Sequence, residues 1–561
     1  MRMPPKPLSD LYYLQNFHQV IDWVAARYGD VLAPEEQAFI QHFRALPTAS
    51  QALLVRMVMR KGEHFRQSKL NYQEIGDTAL AAEPLLTLGW VRDDLALSLP
   101  ELARLVRKDE LLLLLAEQIK TDPAAASMLI VNHLSKLGKT ELVERLTEAW
   151  PQQQSFIRWW PAAQDRLLSL TINALCERLR LLFFGTLSQG WADFVLADLG
   201  IFQYEQVTMD PGSRGFQNRQ QLEQYLQLHA CREAVEQGAP IQDALDQLAQ
   251  LKPDSPWIQQ RLTRLQFSLA RQAERQGELS LALQHYADNA HPEARQRQIR
   301  ILELSADYAT AHDLAMQALA APRCEAEQQS VERVLPRLRK RLGQPLPGKA
   351  PAVEINRLDL RLPQPERQSV EIAVALHLNE TDGPVHYVEN TLINSLFGLL
   401  CWEAIFAPLP GAFFHPFQSG PADLYQIDFR ERRADLFAEA LQALDSDAYI
   451  QRIRHTYSAK QDLQSPFVFW GLLTEELLDQ ALQCLPATHL RIWFERLLAD
   501  IRANRAGMPD LIQFWPQQRR YRMIEVKGPG DRLQDNQKRW LALCAQHGMP
   551  VQVCHVQWSD A

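Results

Sequence analysis

No stretch of the 561-residue sequence is apolar for long enough to cross a membrane. The run Leu111-Leu112-Leu113-Leu114-Leu115 is short and bounded by charge, whereas a spanning helix needs about 20 apolar residues. The opening Met1-Arg2-Met3-Pro4-Pro5-Lys6-Pro7 is not followed by the apolar core of a secretory signal. Cysteine is sparse and scattered, at 176, 231, 324, 401, 484, 544 and 554, and no two form a C-x-x-C. That argues against a zinc ribbon and a disulfide framework, and it predicts a reducing, cytoplasmic compartment. A surplus of positive charge is missing too. Lys plus Arg number 59 against 67 Asp plus Glu, a net charge of -8. A protein coated in cations is thereby excluded, so any nucleic-acid binding must be confined to one basic face. The composition, 46% hydrophobic and 22% charged, is that of an ordinary soluble protein, long enough for three or four domains.

What the chain does contain is concentrated near its end. Gly507-Met508-Pro509-Asp510 is followed, fourteen residues after Asp510, by Glu525-Val526-Lys527. Residues 510–515 and 521–527 are strand-like, with Pro516-Gln517-Gln518-Arg519 as the turn between them. A hairpin centred between Gln517 and Gln518 sets Asp510 across from Glu525, and cross-strand neighbours have Cβ atoms about 5 Å apart. Strand alternation puts Glu525 and Lys527 on one face and Val526 on the other. Two carboxylates and an amine thus converge, a set that suits Mg²⁺ or Mn²⁺, one or two per site, because these hard cations prefer carboxylate oxygens. Such a centre hydrolyses phosphodiesters: the metal acidifies a bound water and neutralises phosphate charge. Lys527 would orient the water or stabilise developing charge, and the carbonyl of Val526, between two site residues, is a further candidate ligand. An isolated acid and an E-x-K in a surface hairpin would read as solvated charge, but the flanks argue otherwise. Met523-Ile524 and Val526 make an internal strand, Gly528-Pro529-Gly530-Asp531 breaks it and offers a cap to a helix over Arg532 to Gln546, and residues 550–556 form another strand. Strand-turn-strand-helix-strand with acids at the hairpin is a restriction-endonuclease-like α/β core.

Upstream the pattern is helical to about residue 345: over 11–45 and 49–66, as several short helices from Ser98 to Gly138, and as a helix from Arg166 to Phe184. From Ile258 onward it suggests stacked helix pairs. Gly277, Ala282 and Tyr286 have the spacing of a TPR second helix, imperfectly repeated over Asp307 to Leu319. Gln344-Pro345-Leu346-Pro347-Gly348-Lys349-Ala350-Pro351 is the clearest linker. Basic residues cluster at Arg56 to Lys69, at Arg295, Arg297 and Arg300, at Arg333 to Arg341, and at Arg502 with Arg505. Only the last pair is read as DNA-binding, because helical spacing of three sets both beside the acids. Trp515 and Trp540 are read as core, His386 and His555 as structural.

These motifs resemble the VRR-NUC nuclease domain, carried by Gly507-Met508-Pro509-Asp510-Leu511, by Ile524 through Leu533 and by Val553-Cys554-His555-Val556. More narrowly the chain resembles the Fanconi-associated nuclease family. Glu389-Asn390-Thr391 with Leu396 to Phe406 is similar to that family's first core helix, which makes Glu389 a metal ligand by resemblance. Residues 54–91 resemble its N-terminal DNA-binding region, and Leu97-Ser98-Leu99-Pro100-Glu101-Leu102 the start of a SAP-like element. The zinc-finger cysteines and long basic extension of longer relatives are missing. The resemblance implies a multidomain chain: 1–95 N-terminal helical DNA-binding, 96–180 SAP-like, 181–345 TPR-like and 355–561 nuclease. It also implies DNA contacts at Arg502, Arg505 and Arg532 and a supporting role for Gln537, with Asp531 either a family position or a helix cap. The implied activity is that of a 5′-flap endonuclease and 5′-to-3′ exonuclease, a hydrolase of the phosphodiesterase I type releasing 5′-phosphate products in interstrand-crosslink repair. It would be a nucleoid-associated monomer on branched or flapped double-stranded DNA, with repair-protein partners on its helical domain. Two other readings stay open: a dimeric Holliday-junction resolvase and a non-catalytic repair scaffold.

Overall fold

The computed structural model describes residues 9–121, 134–191, 202–346, 354–364 and 367–559. The linker beyond residue 346 and the 122–133 part of the segment read as short helices lie outside the described residues. The chain divides into two compact units, Met1–Phe202 and Gln203–Ala561. No helix among the described residues is long and apolar enough to cross a membrane.

In the first unit, helices Tyr12–Tyr28, Pro34–Ala45 and Thr48–Val58 bury apolar stripes that include Phe17, Phe39, Phe43 and Leu54. The expected helix over 49–66 stops at Val58, and His64–Arg66 is a strand. It pairs antiparallel with Leu167–Leu170, which also pairs with Val91–Arg92. The helix read from Arg166 is therefore corrected: it runs Asn173–Phe184, and its expected first turn is a fully buried strand. Leu167-Leu168-Ser169-Leu170 is an apolar run too short for periodicity to distinguish strand from helix, and partners about 100 residues away in sequence decide it. Ser98 caps Leu99–Leu105, with Glu101 returning a bond to the Ser98 N–H at 2.8 Å, a capping box.

The second unit opens with successive helices, including Pro256–Gln276 (α1), Leu279–Ala287 (α2) and Glu325–Arg341 (α3). Gly277, at φ +88°, ends α1, a left-handed position that favours glycine. Ala282 and Tyr286 are buried on α2, and the Tyr286 hydroxyl donates to Glu274 at 2.8 Å. Beyond the linker lies a mixed five-stranded sheet of Asn356–Pro363 (β1), Val385–Tyr387 (β2), Leu511–Trp515 (β3), Arg520–Lys527 (β4) and Val551–Ser559 (β5), ordered β1-β5-β4-β3-β2. β5 runs parallel to β1 and β4, while β3 is antiparallel to both β4 and β2. Ile524 and Val526 of β4 join a smaller core with Leu511, Cys554 and Val556. Met523, Ile512 and Phe514 join the larger core on the opposite face. This alternation leaves Glu525 and Lys527 on the larger-core face, where that core ends.

The helix behind the site, Leu392–Leu400 (α4), is buried at every residue. A Cβ on Gly398 would lie 2.7 Å from Phe467 Cβ and 2.9 Å from Val468 Cγ2. Gly398→Ala is accordingly expected to destabilise by about 1–3 kcal/mol through overpacking, read as a lower urea midpoint with unchanged slope.

Candidate active site

β3 and β4 are joined by a 3₁₀ turn, Pro516–Gln518, closed by Arg519 in the left-handed region. Leu511 pairs with Ile524, so Asp510, one residue before the strand, stands opposite Glu525, the expected register. Asp510 Oδ2 accepts the Val526 N–H at 2.8 Å. Lys527 Nζ lies 2.7 Å from Glu525 Oε1. Glu525 is fully buried, Asp510 and Lys527 are nearly so, and Glu525 Oε2 has no hydrogen-bond partner among the described residues.

Glu389 enters from the segment between β2 and α4. The Val388 N–H donates to the Asp510 carbonyl at 2.8 Å. Asn390, at φ +52°, turns its Oδ1 to accept the Gly507 and Met508 N–H groups at 2.7 and 3.1 Å. Asparagine is among the few residues that tolerate this backbone region. Gly507 sits at φ +94° against Asn536, where a Cβ would meet that side chain at 2.8 Å. Asn390 and Gly507 thus lock the Glu389 segment to the Asp510 loop. Asn390 is a positioning residue that motif spacing does not reveal, and its only sequence signal is its residue type beside the acid. Glu389 itself accepts from Tyr387 Oη at 2.5 Å and from Asn390 Nδ2 at 3.2 Å.

The electrostatics suit a cation. Burial first, then the Asp510 charge, push Glu525 up to about 7, against the lowering pull of Lys527. Burial raises Asp510 to about 6, opposed by the Val526 N–H and Lys527 and reinforced by Glu389 and Glu371. Glu371, in the first turn of helix Val370–Leu378, is a fourth acid near the pair that the motifs did not identify. The hydrogen bond that the Tyr387 hydroxyl donates to Glu389, then burial, pushes that hydroxyl upward. Buried carboxylates that repel one another, one with an oxygen lacking any donor, fit a divalent metal. Among the described residues no three such ligands already stand at metal-holding spacing.

The remaining expected site residues fall elsewhere. Arg502 and Arg505 lie 5.6 and 5.8 Å from the Tyr425 ring, and the Arg505 carbonyl accepts from Asn394 of α4 at 2.8 Å. Arg532 is exposed in the loop after β4. The helix expected from Arg532 starts instead at Asp535 (Asp535–Gln546, α5), because Gln534 and Gln537 form its capping box and Gln537 Oε1 accepts the Gln534 N–H at 2.9 Å. Asp531 does not cap it; Asp531 Oδ2 accepts the Gly528 N–H at 3.0 Å within the turn. Trp540 is core, donating to the Asn504 carbonyl at 3.2 Å. Trp515 stacks under Arg520 at 4.0 Å, and His386 contacts Gln480 at 2.7 Å. Of the other basic segments, Arg56, Arg66, Arg295, Arg333 and Arg337 are paired with carboxylates.

A mixed sheet presenting a buried Asp-Glu pair beside a lysine is the core of a nuclease, and the VRR-NUC domain model matches residues 445–558. The FAN1 HTH domain model matches residues 11–92, and the Fanconi anemia-associated nuclease SAP domain model matches 96–159. The chain belongs to the Fanconi-associated nuclease family. It is 52% identical to the Pseudomonas aeruginosa Fanconi-associated nuclease 1 homolog, over 99% of this chain and 96% of that one. It is 24% identical to the Arabidopsis thaliana homolog, over 99% of this chain and 68% of that one. The crystal structure of paFAN1 bound to 2-nucleotide 5′-flap DNA with a gap superposes with a TM-score of 0.89 at 52% identity, covering 99% of this chain and all of that one. The complex with a 1-nucleotide flap gives 0.86 at 51% identity.

Proposed function

We propose that this chain is a divalent-metal-dependent nuclease that incises 5′-flapped double-stranded DNA and degrades it from 5′ ends, serving interstrand-crosslink repair. The observation that carries the reading is the buried Asp510–Glu525 pair beside Lys527, and the similarity to a protein crystallised on 5′-flap DNA supports the substrate. Asp510, Glu525, Glu389 and the Val526 carbonyl would hold one or two Mg²⁺ or Mn²⁺ ions. When bound, such an ion acidifies water and neutralises charge on the phosphate. Lys527, paired with Glu525, would orient the attacking water or stabilise the developing charge; water adding to phosphorus with cleavage of the P–O3′ bond would leave a 3′-hydroxyl and a 5′-phosphate. The Val526 N–H donated to the Asp510 carboxylate would keep the two acids in register. Arg502, Arg505 and Arg532 are the DNA contacts of this reading, and Gln537 steadies the start of α5 beside the site.

The division at 1–95, 96–180, 181–345 and 355–561 belongs to the same proposal. Helix pairs of the α1–α2 kind support the TPR-like character of the third part, which would hold duplex arms and repair-protein partners. The protein would act as a monomer at the nucleoid.

Cleavage of a labelled 5′-flap duplex and of a four-way junction, each with Mg²⁺, Mn²⁺ or EDTA, tests the reading. Incision a few nucleotides inside the flap duplex, dependent on metal, is expected, with the junction intact and Asp510→Ala inactive. Symmetric cutting of the junction would replace this reading with a dimeric resolvase, and no cutting of either substrate with a repair scaffold.

A further inference from the structure

The loop Pro421–Arg430 presents an aromatic ring to solvent from a rigid base. Tyr425 is 39% and Ile427 70% exposed, an unusual placement for two large apolar side chains in one turn. The loop beneath them is held from several sides. Arg264 and Gln260 of α1 reach the Tyr425 carbonyl and Asp428 Oδ1, each at 2.9 Å. The Ala422 N–H donates to the Ala412 carbonyl at 2.8 Å, and the fully buried Asp423 pairs with Arg432 and Arg433. Tyr425 is therefore held out by a fixed frame.

Three arginines gather around it. Arg502 and Arg505 flank the ring, Arg505 donates to the Tyr425 hydroxyl and, at 2.8 Å, to the Pro466 carbonyl, and Arg264 lies below. The bonds of Arg264 and Arg505 end on neutral oxygens, and among the described residues neither they nor Arg502 forms a salt bridge. In the basic segments elsewhere, Arg56, Arg66, Arg295, Arg297, Arg333 and Arg337 are paired with carboxylates. Burial, then the charge of Arg502, pushes the Arg264 guanidinium downward, against the raising pull of Asp428 in the same loop. The patch is tied to the metal site: the Arg505 carbonyl is held by Asn394, whose Nδ2 also bonds the Asn390 carbonyl at 2.7 Å. Arg505 is five residues from Asp510, at most about 17 Å along an extended chain.

An exposed ring in a positive surround is how proteins hold single-stranded nucleic acid, with bases stacked on the ring and phosphates steered by the arginines. Base faces are accessible only where the duplex stack is interrupted, so such a platform tells a branch from uninterrupted duplex. We propose that Tyr425, with Ile427 beside it, is the platform on which an unstacked base rests at the branch point of the DNA substrate. This rests on the flap-nuclease reading, and it gives the second unit its own means of recognising an interrupted stack close to the metal site.

The test uses the full chain in EDTA, so binding is scored without cutting. A 5′-flap duplex carries 2-aminopurine at the first unpaired position. Wild type is expected to change its fluorescence, Tyr425→Ala to abolish that change and weaken flap binding about tenfold, and Tyr425→Phe to restore both. Affinity for uninterrupted duplex should be the same for all three. An abasic nucleotide at the same position should weaken wild-type binding to the same extent, an arm that needs no variant and so does not depend on Tyr425→Ala folding. Equal losses on flap and duplex, a Phe variant as weak as the Ala variant, or no cost from the abasic nucleotide would each overturn the platform. Failure of wild type to cut the flap with Mg²⁺ while these binding results hold would instead overturn the nuclease reading.

Discussion

Asp510→Asn is expected to lower flap cleavage by at least about a thousandfold while raising the melting temperature of the metal-free protein at pH 8. The substitution keeps the shape, and its side-chain oxygen still accepts the Val526 N–H. What it removes is a charge that metal binding needs and the metal-free fold resists. Losing about 4 kcal/mol of transition-state stabilisation corresponds to the thousandfold figure. The stability effect follows from the raised pKa of Asp510, about 6 in the fold against about 3.9 in an unfolded chain. A carboxyl whose folded pKa lies above its unfolded value contributes stability fully below pH 4 and loses it as pH rises through 6. At pH 8 the charged form costs on the order of 3 kcal/mol, which asparagine avoids. Melts in EDTA should show the variant about 2–4 °C higher at pH 8, with the gain vanishing near pH 4. Excess Mg²⁺ should reverse the order, because only the wild type gains stability by ligation. Metal-dependent cutting by the variant, or a variant that melts no higher than wild type at pH 8, contradicts this account of the site.

Asp423→Ala should be among the most damaging single changes outside the site, costing about 3–5 kcal/mol. Asp423 and Arg433 are both buried, with Arg433 donating to the two carboxylate oxygens at 2.8 and 2.9 Å and to the Ala404 carbonyl at 3.0 Å. The Arg433 guanidinium also lies 4.1 Å from the Phe429 ring centroid. Removing the acid strands a cation where water cannot reach it. Removing the two fully buried charges, as in Asp423→Leu with Arg433→Met, and leaving only the partly exposed Arg432 without its acid, should cost less than Asp423→Ala alone, because the dominant penalty is the buried unpaired charge rather than the lost pair. Urea unfolding of the single and double variants measures the difference, and a double variant less stable than Asp423→Ala would disprove it.

The hairpin was legible because its logic is local. Asp510 and Glu525 flank a short proline-containing turn at equal distances, strand alternation has a period of two, and the Asp510–Glu525 register follows from counting. The same alternation predicted Glu525 and Lys527 on one face, with Val526 in the opposite core. The start of α5 was misread because Asp531 is a strong cap by type, yet its carboxylate is taken by the Gly528 N–H three residues back. The strand at Leu167–Leu170 was misread because its partners come from distant segments.

By itself, then, the sequence determined the chemistry offered at the hairpin, two carboxylates and an amine on one face, because backbone periodicity converts spacing directly into facing. Only the tertiary structure decided what makes those groups a site. It buried Glu525 with an oxygen left unpaired, brought Glu389 alongside through the left-handed Asn390, and set Tyr425 between Arg502 and Arg505. Burial and charge compensation depend on the meeting of segments far apart in sequence, 117 residues for Asn390 with Gly507 and 80 for Tyr425 with Arg505, and no local pattern records which segments those are.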